Sequence, residues 1–336
     1  MTRSIWLIPL VGLHLLILLA GFVAPYDPTA QARTIPFAPP VRPHLFDAAG
    51  TFHLRPFVYA VVPSGDGYVA DTSHRYPIRF FTRESRYAIV PGLENDIHLF
   101  GVDAPARISI FGTDGYGRDV LSRVLHGARV SIIAGLLATL CALLAGTALG
   151  TLAGFVGGAT DKVIMRAADV FMAVPWIYLL FAVRAALPLQ IDTRAAFLLL
   201  VAVLGIVGWA RPSRLVRGIV LSAKERTYVL AAEGFGAQPL YVLRRHVLPQ
   251  TYGVVLTQAG LLVPQFILAE VTLSFLGLGV GEPDASLGSM LGTLQQYHVL
   301  ASYWWMFAPA VMLVLVAAAY HALTSFGHER ARLVAS

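Results

Sequence analysis

Along this chain, apolar residues collect into long runs without the regular polar interruptions that give a soluble helix its solvent face. Six runs stand out: Ile5–Ala24, Ser131–Val156, about Ala167–Leu187, Ala195–Ala210, Gly253–Leu278 and Tyr303–Phe326. About 20 apolar residues in a helix cross a hydrocarbon core of about 30 Å, so the pattern predicts six membrane crossings. The first reads as an anchor rather than a cleavable signal, because Phe22 and Pro25 stand near Ala24 where small residues are wanted. In the second, Gly146, Gly150 and Gly154 recur every four residues, the spacing that lets helices approach closely. Pro175 predicts a bend in the third. From Pro25 to about Ala106 the pattern changes to short aromatic and β-branched stretches, such as Phe52–Val62 and Tyr76–Phe81, between Gly, Asp and Ser turns. That predicts a small folded domain, partly β, rather than a disordered loop. After it, Gly115–Arg129 sets Val120, Leu121, Val124 and Leu125 on one helical face with Arg118, Asp119, Arg123 and Arg129 around it. This is the pattern of a helix lying along the interface.

Composition agrees with lipid as the main solvent: of 336 residues, 57% are hydrophobic and 13% charged, with a mean hydropathy of +0.67. The net charge of +6 is of the sign that nucleic acid attracts. The basic residues, however, gather at the ends of apolar runs and no RNA or DNA module is visible. The lipid bilayer is therefore the expected partner, not nucleic acid. The interval 211–252 carries Arg211, Arg214, Arg217, Lys224, Arg226, Arg244 and Arg245 against Glu225 and Glu233, and such loops stay in the cytoplasm. With the basic tail, Arg330 and Arg332, this predicts a multi-pass protein with both termini cytoplasmic and the stretch after the first helix outside. Cys141 is the single cysteine, so no intrachain disulfide can form.

Enzyme chemistry finds no support. A P-loop needs Gly-x-x-x-x-Gly-Lys followed by Ser or Thr, and Lys162 and Lys224 have no such context. None of the ten histidines has a His-Glu-x-x-His spacing, and no Gly-x-Ser-x-Gly elbow appears. No catalytic residue, metal site or cofactor is expected in this chain. Charged groups at membrane depth cost about 2.5–3.5 kcal/mol each, which singles out Glu270 and Arg184. These could pair or line a path, with Gln258 and Gln265, seven apart on the fifth helix, beside them. Plain helix-to-helix hydrogen bonding is the ordinary alternative. Tyr303, Trp304 and Trp305 suit an aromatic belt.

Within 211–252, Thr227–Phe235 forms a short amphipathic helix with Tyr228, Ala231, Ala232 and Phe235 toward one side, Gly236 breaks it, and Pro239 opens a second helix that Leu248-Pro249 ends. A helix, glycine turn, helix unit can sit in a partner's groove. Ala231-Ala232, Gly236 and Leu248-Pro249 resemble the signature loop by which permeases of binding-protein-dependent ABC importers dock on their ATPase. Gly112-Thr113-Asp114, Gly117 to Arg123, Gly127 to Ser131, Ala269-Glu270 and Leu273 to Gly279 further resemble the oligopeptide, dipeptide and nickel branch, in its second membrane subunit. The resemblance covers Phe111 to about Met312 well and the first helix loosely.

That resemblance implies an all-α polytopic membrane protein of the type I ABC importer transmembrane fold, six helices with a partly β extracytoplasmic insert. The chain would divide into a first transmembrane helix (1–24), the insert (25–110), a permease core (111–326) with its coupling loop (211–252), and a cytoplasmic tail (327–336). Implied partners are a homologous permease subunit, two ATP-binding subunits that hold ATP and Mg, and an extracytoplasmic solute-binding protein, in the inner membrane. Two departures stand out: Leu230 occupies the signature position where the family has Glu, and the insert is longer than in typical members. The rival readings are a stand-alone secondary transporter or channel using Glu270 and Arg184 for ion coupling, and a membrane-anchored scaffold working through the insert.

Overall fold

The computed structural model describes residues 7–65, 67–90, 92–175, 178–179, 181–182 and 192–335. The first apolar run folds as α1 (Leu7–Leu18) and α2 (Ala20–Val23). Strands β1 (His44–Phe46), β2 (Phe52–Ser64), β3 (Gly67–Pro77), β4 (Arg79–Val90) and β5 (Leu93–Gly101) follow. The rest is helical: α3 (Val120–Val156), α4 (Gly158–Ala173), α5 (Thr193–Gly208), α6 (Ala210–Lys224), α7 (Thr227–Gly234), α8 (Pro239–Val242), a π turn (Leu243–Val247), α9 (Leu248–Phe275), α10 (Leu287–Gly292), α11 (Tyr297–Ser302) and α12 (Ala308–Ala335). Among the described residues, four helical stretches are long and apolar enough to cross a membrane: Val120–Val156, Arg194–Lys224, Pro239–Phe275 and Trp304–Ala322. The run Ala167–Leu187 extends into residues outside the described ones.

Three local expectations are corrected. The segment ending at Arg129 is not a separate interfacial helix. Its helical part from Val120 is the start of α3, which continues unbroken to Val156. Pro175 does not bend a helix, because α4 has already ended at Ala173 with Val174 extended, the conformation that a following proline imposes. Leu248-Pro249 does not end the second short helix. The helical path runs from α8 through the π turn into α9, where Leu248 N–H donates to the Leu243 carbonyl five residues back. Proline lacks a donor and its ring crowds the carbonyl four residues earlier; the wider turn placed just before Pro249 accommodates both.

The chain forms two units, Met1–Ser131 with Val271–Ala319, and Ile132–Glu270 with Tyr320–Ser336. In the first, β1–β2–β3 form an antiparallel sheet and β4–β5 a second, two-stranded one. The partners of Tyr59 and Ala60 are Arg75 and Asp71, so residues 72–74 bulge from β3; Ser73 N–H donates to Asp71 Oδ1 at 3.0 Å and stabilises the bulge. Val41, Val58, Ala60, Ile78, Val102, Ala106 and Ile108 make the core beneath.

In the second unit the stripe Gly146, Gly150 and Gly154 of α3 lies against Pro212, Ser213 and Val220 of α6, so close that a methyl group at Gly150 would overlap the Ser213 carbonyl. The spacing read from the sequence is used for helix contact. Helix α4 is tied to α6 by a two-pronged Arg217–Asp161 pair, with Nη2 to Oδ2 at 2.5 Å, and by Arg214–Asp169. Between them Ala168, Trp209 and Ala210 are buried, and the Phe171 and Trp209 rings meet edge to face at 5.7 Å.

Candidate functional site

Helix α7 ends because Gly236 adopts φ +82°, a left-handed conformation that costs a side-chain-bearing residue about 1–2 kcal/mol. Gly236 N–H donates to the Glu233 carbonyl at 2.9 Å and Ala237 N–H to the Ala232 carbonyl at 3.0 Å. These two bonds form the Schellman closure of a helix C-terminus. Nothing lies within 4 Å of the place a Cβ would take, so the backbone angle, not space, requires glycine. The chain then reverses into α8, with Pro239 in its first turn.

One side of this turn is locked to the membrane helices. Val229 of α7, Val242 of α8 and Val247 of the π turn are buried with Val216, Val220 and Ala223 of α6, flanked by Phe155, Ala237, Leu243, Val254 and Val255. Each such side chain contributes about 1.5–3 kcal/mol on burial. Lys224 Nζ donates to the Phe155 carbonyl at 2.8 Å and sits 5.4 Å from that ring, placing a cation at the C-terminus of α3 where the helix dipole favours it. The other side is open: Tyr228, Leu230, Phe235, Leu240 and Tyr241 are exposed, Phe235 at 93%. His246 stands between the rings of Tyr228 and Tyr241, at 5.9 and 5.7 Å. Gln238, Leu240, Tyr241, Arg244 and Arg245 line an open hollow there.

Of the residues singled out in the sequence, Ala231 is exposed, Ala232 half-buried, Gly236 and Pro249 exposed and Leu248 half-buried. All belong to this turn or to the start of α9. Glu270 is fully buried and Gln258 buried, whereas Gln265 is exposed on the same helix. Arg184 lies outside the described residues.

A second constellation escaped the sequence reading. The charges of the Gly112–Arg123 stretch are buried, not set around an interfacial helix. Arg118 Nε donates to Asp114 Oδ2 at 2.7 Å, and its two terminal nitrogens hold Glu282, one at 3.1 Å from Oε1. Arg123 Nη2 donates to the same Oε1 at 2.9 Å and Nη1 to the Pro28 carbonyl at 3.2 Å. Thr113 Oγ1 accepts from Ala38 N–H at 2.8 Å and donates to the Ile35 carbonyl at 2.6 Å, while Trp305 Nε1 donates to the Thr113 carbonyl at 3.1 Å. Asp119 precedes α3 and accepts from Ser122 N–H at 2.8 Å and from its hydroxyl at 2.6 Å, an N-cap. Burial outweighs those bonds and pushes the Asp119 carboxyl up to about 6. The available signal was a dense group of charges directly before an uncharged run; its carboxylate partner, 159 residues from Arg123, carried none.

The family described as the inner membrane component of binding-protein-dependent transport systems matches residues 146–331. The chain is 37% identical over 214 residues to a dipeptide transport system permease of Bacillus subtilis, covering 63% of this chain and 65% of that one. It is 40% identical over 186 residues to an oligopeptide transport system permease of the same organism, covering 55% and 59%. With a probable D,D-dipeptide transport system permease of Escherichia coli it shares 36% over 217 residues, covering 65% and 70%. The chain thus spans less than two thirds of the length of the two Bacillus relatives.

Proposed function

The chain belongs to the family of inner membrane components of binding-protein-dependent transport systems, and from that membership we propose that it is one of the membrane-spanning subunits of an ATP-driven peptide importer. The observation that carries this reading is the turn around Gly236. Its inner valines bind it to α6 and α9 while its outer face keeps five large apolar side chains in water. Isolated exposed apolar residues are ordinary, but a group of them on one rigid turn is an interaction surface. An ATP-binding subunit is the partner it serves, holding the ATP and Mg that this chain has no motif to bind. A stand-alone carrier has no use for such a face. Leu230, exposed here where the family has Glu, makes the contact apolar at that point.

In this reading the chain pairs with a homologous permease and takes solute from an extracytoplasmic binding protein. Movement of two ATP-binding subunits, acting through α7 and α8, then alternates access to the path. Peptides are the substrate class suggested by the names of the relatives. Glu270 and Gln258 are the path candidates among the buried groups of α9. The decisive experiment is co-purification with the ATP-binding subunits: Phe235→Asp should insert and pair with the second permease normally but lose the ATPase. Retention of the ATPase at wild-type levels overturns the assignment. The orientation is tested separately, with Cys141 removed: a cysteine at Ser64 should react with an impermeant label from outside and one at Ser222 only from inside, and the reverse pattern refutes six crossings with internal termini.

A further inference from the structure

The β4–β5 hairpin lies outside the residues that match the family, and its contacts place it at a particular depth. Three side chains bind it to the last turn of the first helix. The Tyr87 ring presses on Gly21 so closely that any Cβ there would overlap it. The Phe81 and Phe22 rings are 6.2 Å apart. His98, buried, contacts the Ala24 carbonyl through Nδ1 at 2.6 Å. A separate contact sets the same level on α3: Arg129 Nη1 donates to the Ala88 carbonyl at 3.2 Å, and Arg129 is the last charge before the uncharged run 130–156. Both ends of the hairpin's outgoing strand therefore sit where an apolar helix meets polar residues. Contacts at Phe81 and Ala88, seven residues apart on one strand, fall at the same boundary, so the hairpin lies along that plane rather than projecting from it.

At this level the hairpin exposes Phe80, Phe81 and Leu93, Phe81 at 66%. Phe81 also has φ +57°, a conformation that a bulky residue adopts only under constraint. On its strands Arg79, Arg83 and Arg86 are balanced by Glu84, Glu94 and Asp96, so attraction to anionic headgroups is not what the surface is built for. Aromatic rings are favoured at the boundary between headgroups and acyl chains. Val11, Leu15, Leu16 and Leu18 of α1 and Leu19 just after it are exposed too, and they precede Gly21 and Phe22, on which the hairpin packs. We propose that the β4–β5 hairpin rests on the lipid bilayer, with Phe80, Phe81 and Leu93 in the boundary layer, and thereby fixes the extramembrane sheets against the membrane surface.

The test uses the whole transporter in zwitterionic liposomes, with Cys141→Ala and single spin-labelled cysteines at Phe80, Phe81 and Leu93. Leu15 serves as the lipid reference and Leu54, 90% exposed on β2, as the comparison on the other sheet. Accessibility to oxygen relative to a water-soluble nickel chelate should be raised at 80, 81 and 93 toward the Leu15 value, and low at 54. Anionic lipid should not change it. If Phe81→Cys fails to fold, positions 80 and 93 still decide. Labels at 80 and 93 that behave like the one at 54 overturn the proposal, as does a surface shielded from both probes only when the solute-binding protein is added, which would assign it to that partner. An aqueous reading at Leu15 would refute the membrane placement of the first helix on which the depth rests.

Discussion

The turn around Gly236 and the charged knot around Arg118 both attach short segments to membrane helices, and they do so by opposite means. The turn is held by apolar packing on one side and leaves an equally apolar side uncovered. The knot brings Asp114, Arg118 and Arg123 out of water and meets them with carboxylates and backbone carbonyls, and only Glu282 of the group is half exposed. Interaction capacity left over at the surface is what the proposed docking of a partner on the turn would use. Capacity consumed internally marks an anchor. The difference lies in the kind of group, since both segments are short and contain glycine.

Breaking the anchor should have the largest effect. Arg123→Ala leaves Glu282 and Asp114 without one of their two cations, and removing one partner from a buried charge network costs about 3–5 kcal/mol. A much lower melting temperature in detergent is expected; a melting curve like that of the wild type would mean the knot contributes nothing to stability. Gly236→Val comes next. Strain of about 1–3 kcal/mol falls on the turn alone, so the protein should insert and pair but lose solute-stimulated ATP hydrolysis in proteoliposomes, and Gly236→Asn should retain more of it because asparagine tolerates this conformation. Normal coupling in the valine variant would show that the turn does not transmit motion. Leu230→Glu tests the open face more gently. Being exposed, it should change stability by no more than about 0.5 kcal/mol while weakening ATPase binding, if the facing surface is apolar as proposed; tighter binding would show that a cation waits there.

An effect seen only as a pH dependence concerns the edge of the knot. With its pKa raised to about 6 from a usual 3.8, folded Asp119 keeps its proton in a window where the unfolded chain has released it. Its contribution therefore makes the protein less stable as pH rises from about 4 through 6, and level above that. Asp119→Asn keeps an acceptor for Ser122 and removes the titration. Melting temperatures at pH 5 and pH 7.5 should differ less in the variant than in the wild type, and an unchanged difference would place the titrating group elsewhere.

The helices that follow the apolar runs and the reversal at Gly236 were legible because each is a local matter: length, hydropathy, one residue without a Cβ. The knot was not. Arg118 and Arg123 read as surface charges on an amphipathic helix because an isolated segment offers no other place for them, and Glu282 becomes relevant only through folding. The family resemblance had marked the same residues without saying what they do. Pro249 misled for the converse reason. Its lost hydrogen bond argues locally for a stop, but a π turn one step earlier absorbs the loss, a backbone solution that no residue type announces. Gln258 and Gln265 show a subtler limit: helical spacing put them on one face, and the neighbours packed around that face bury the first and leave the second open.

The unbroken passage through Pro249 has a mechanical consequence. From Pro239 to Phe275 the chain is 37 residues of continuous helix, which at about 1.5 Å per residue is a rod of roughly 55 Å. Had the helix stopped at Leu248, the short arm bearing Tyr241 could swivel independently and any push on it would dissipate in a joint. With Pro249 and Pro264 inside it, such a rod, acting as the single lever of the proposed coupling, would turn a tilt of about 5° at the Tyr241 end into a sweep of nearly 5 Å at the other by the same length, with Glu270 near that far end.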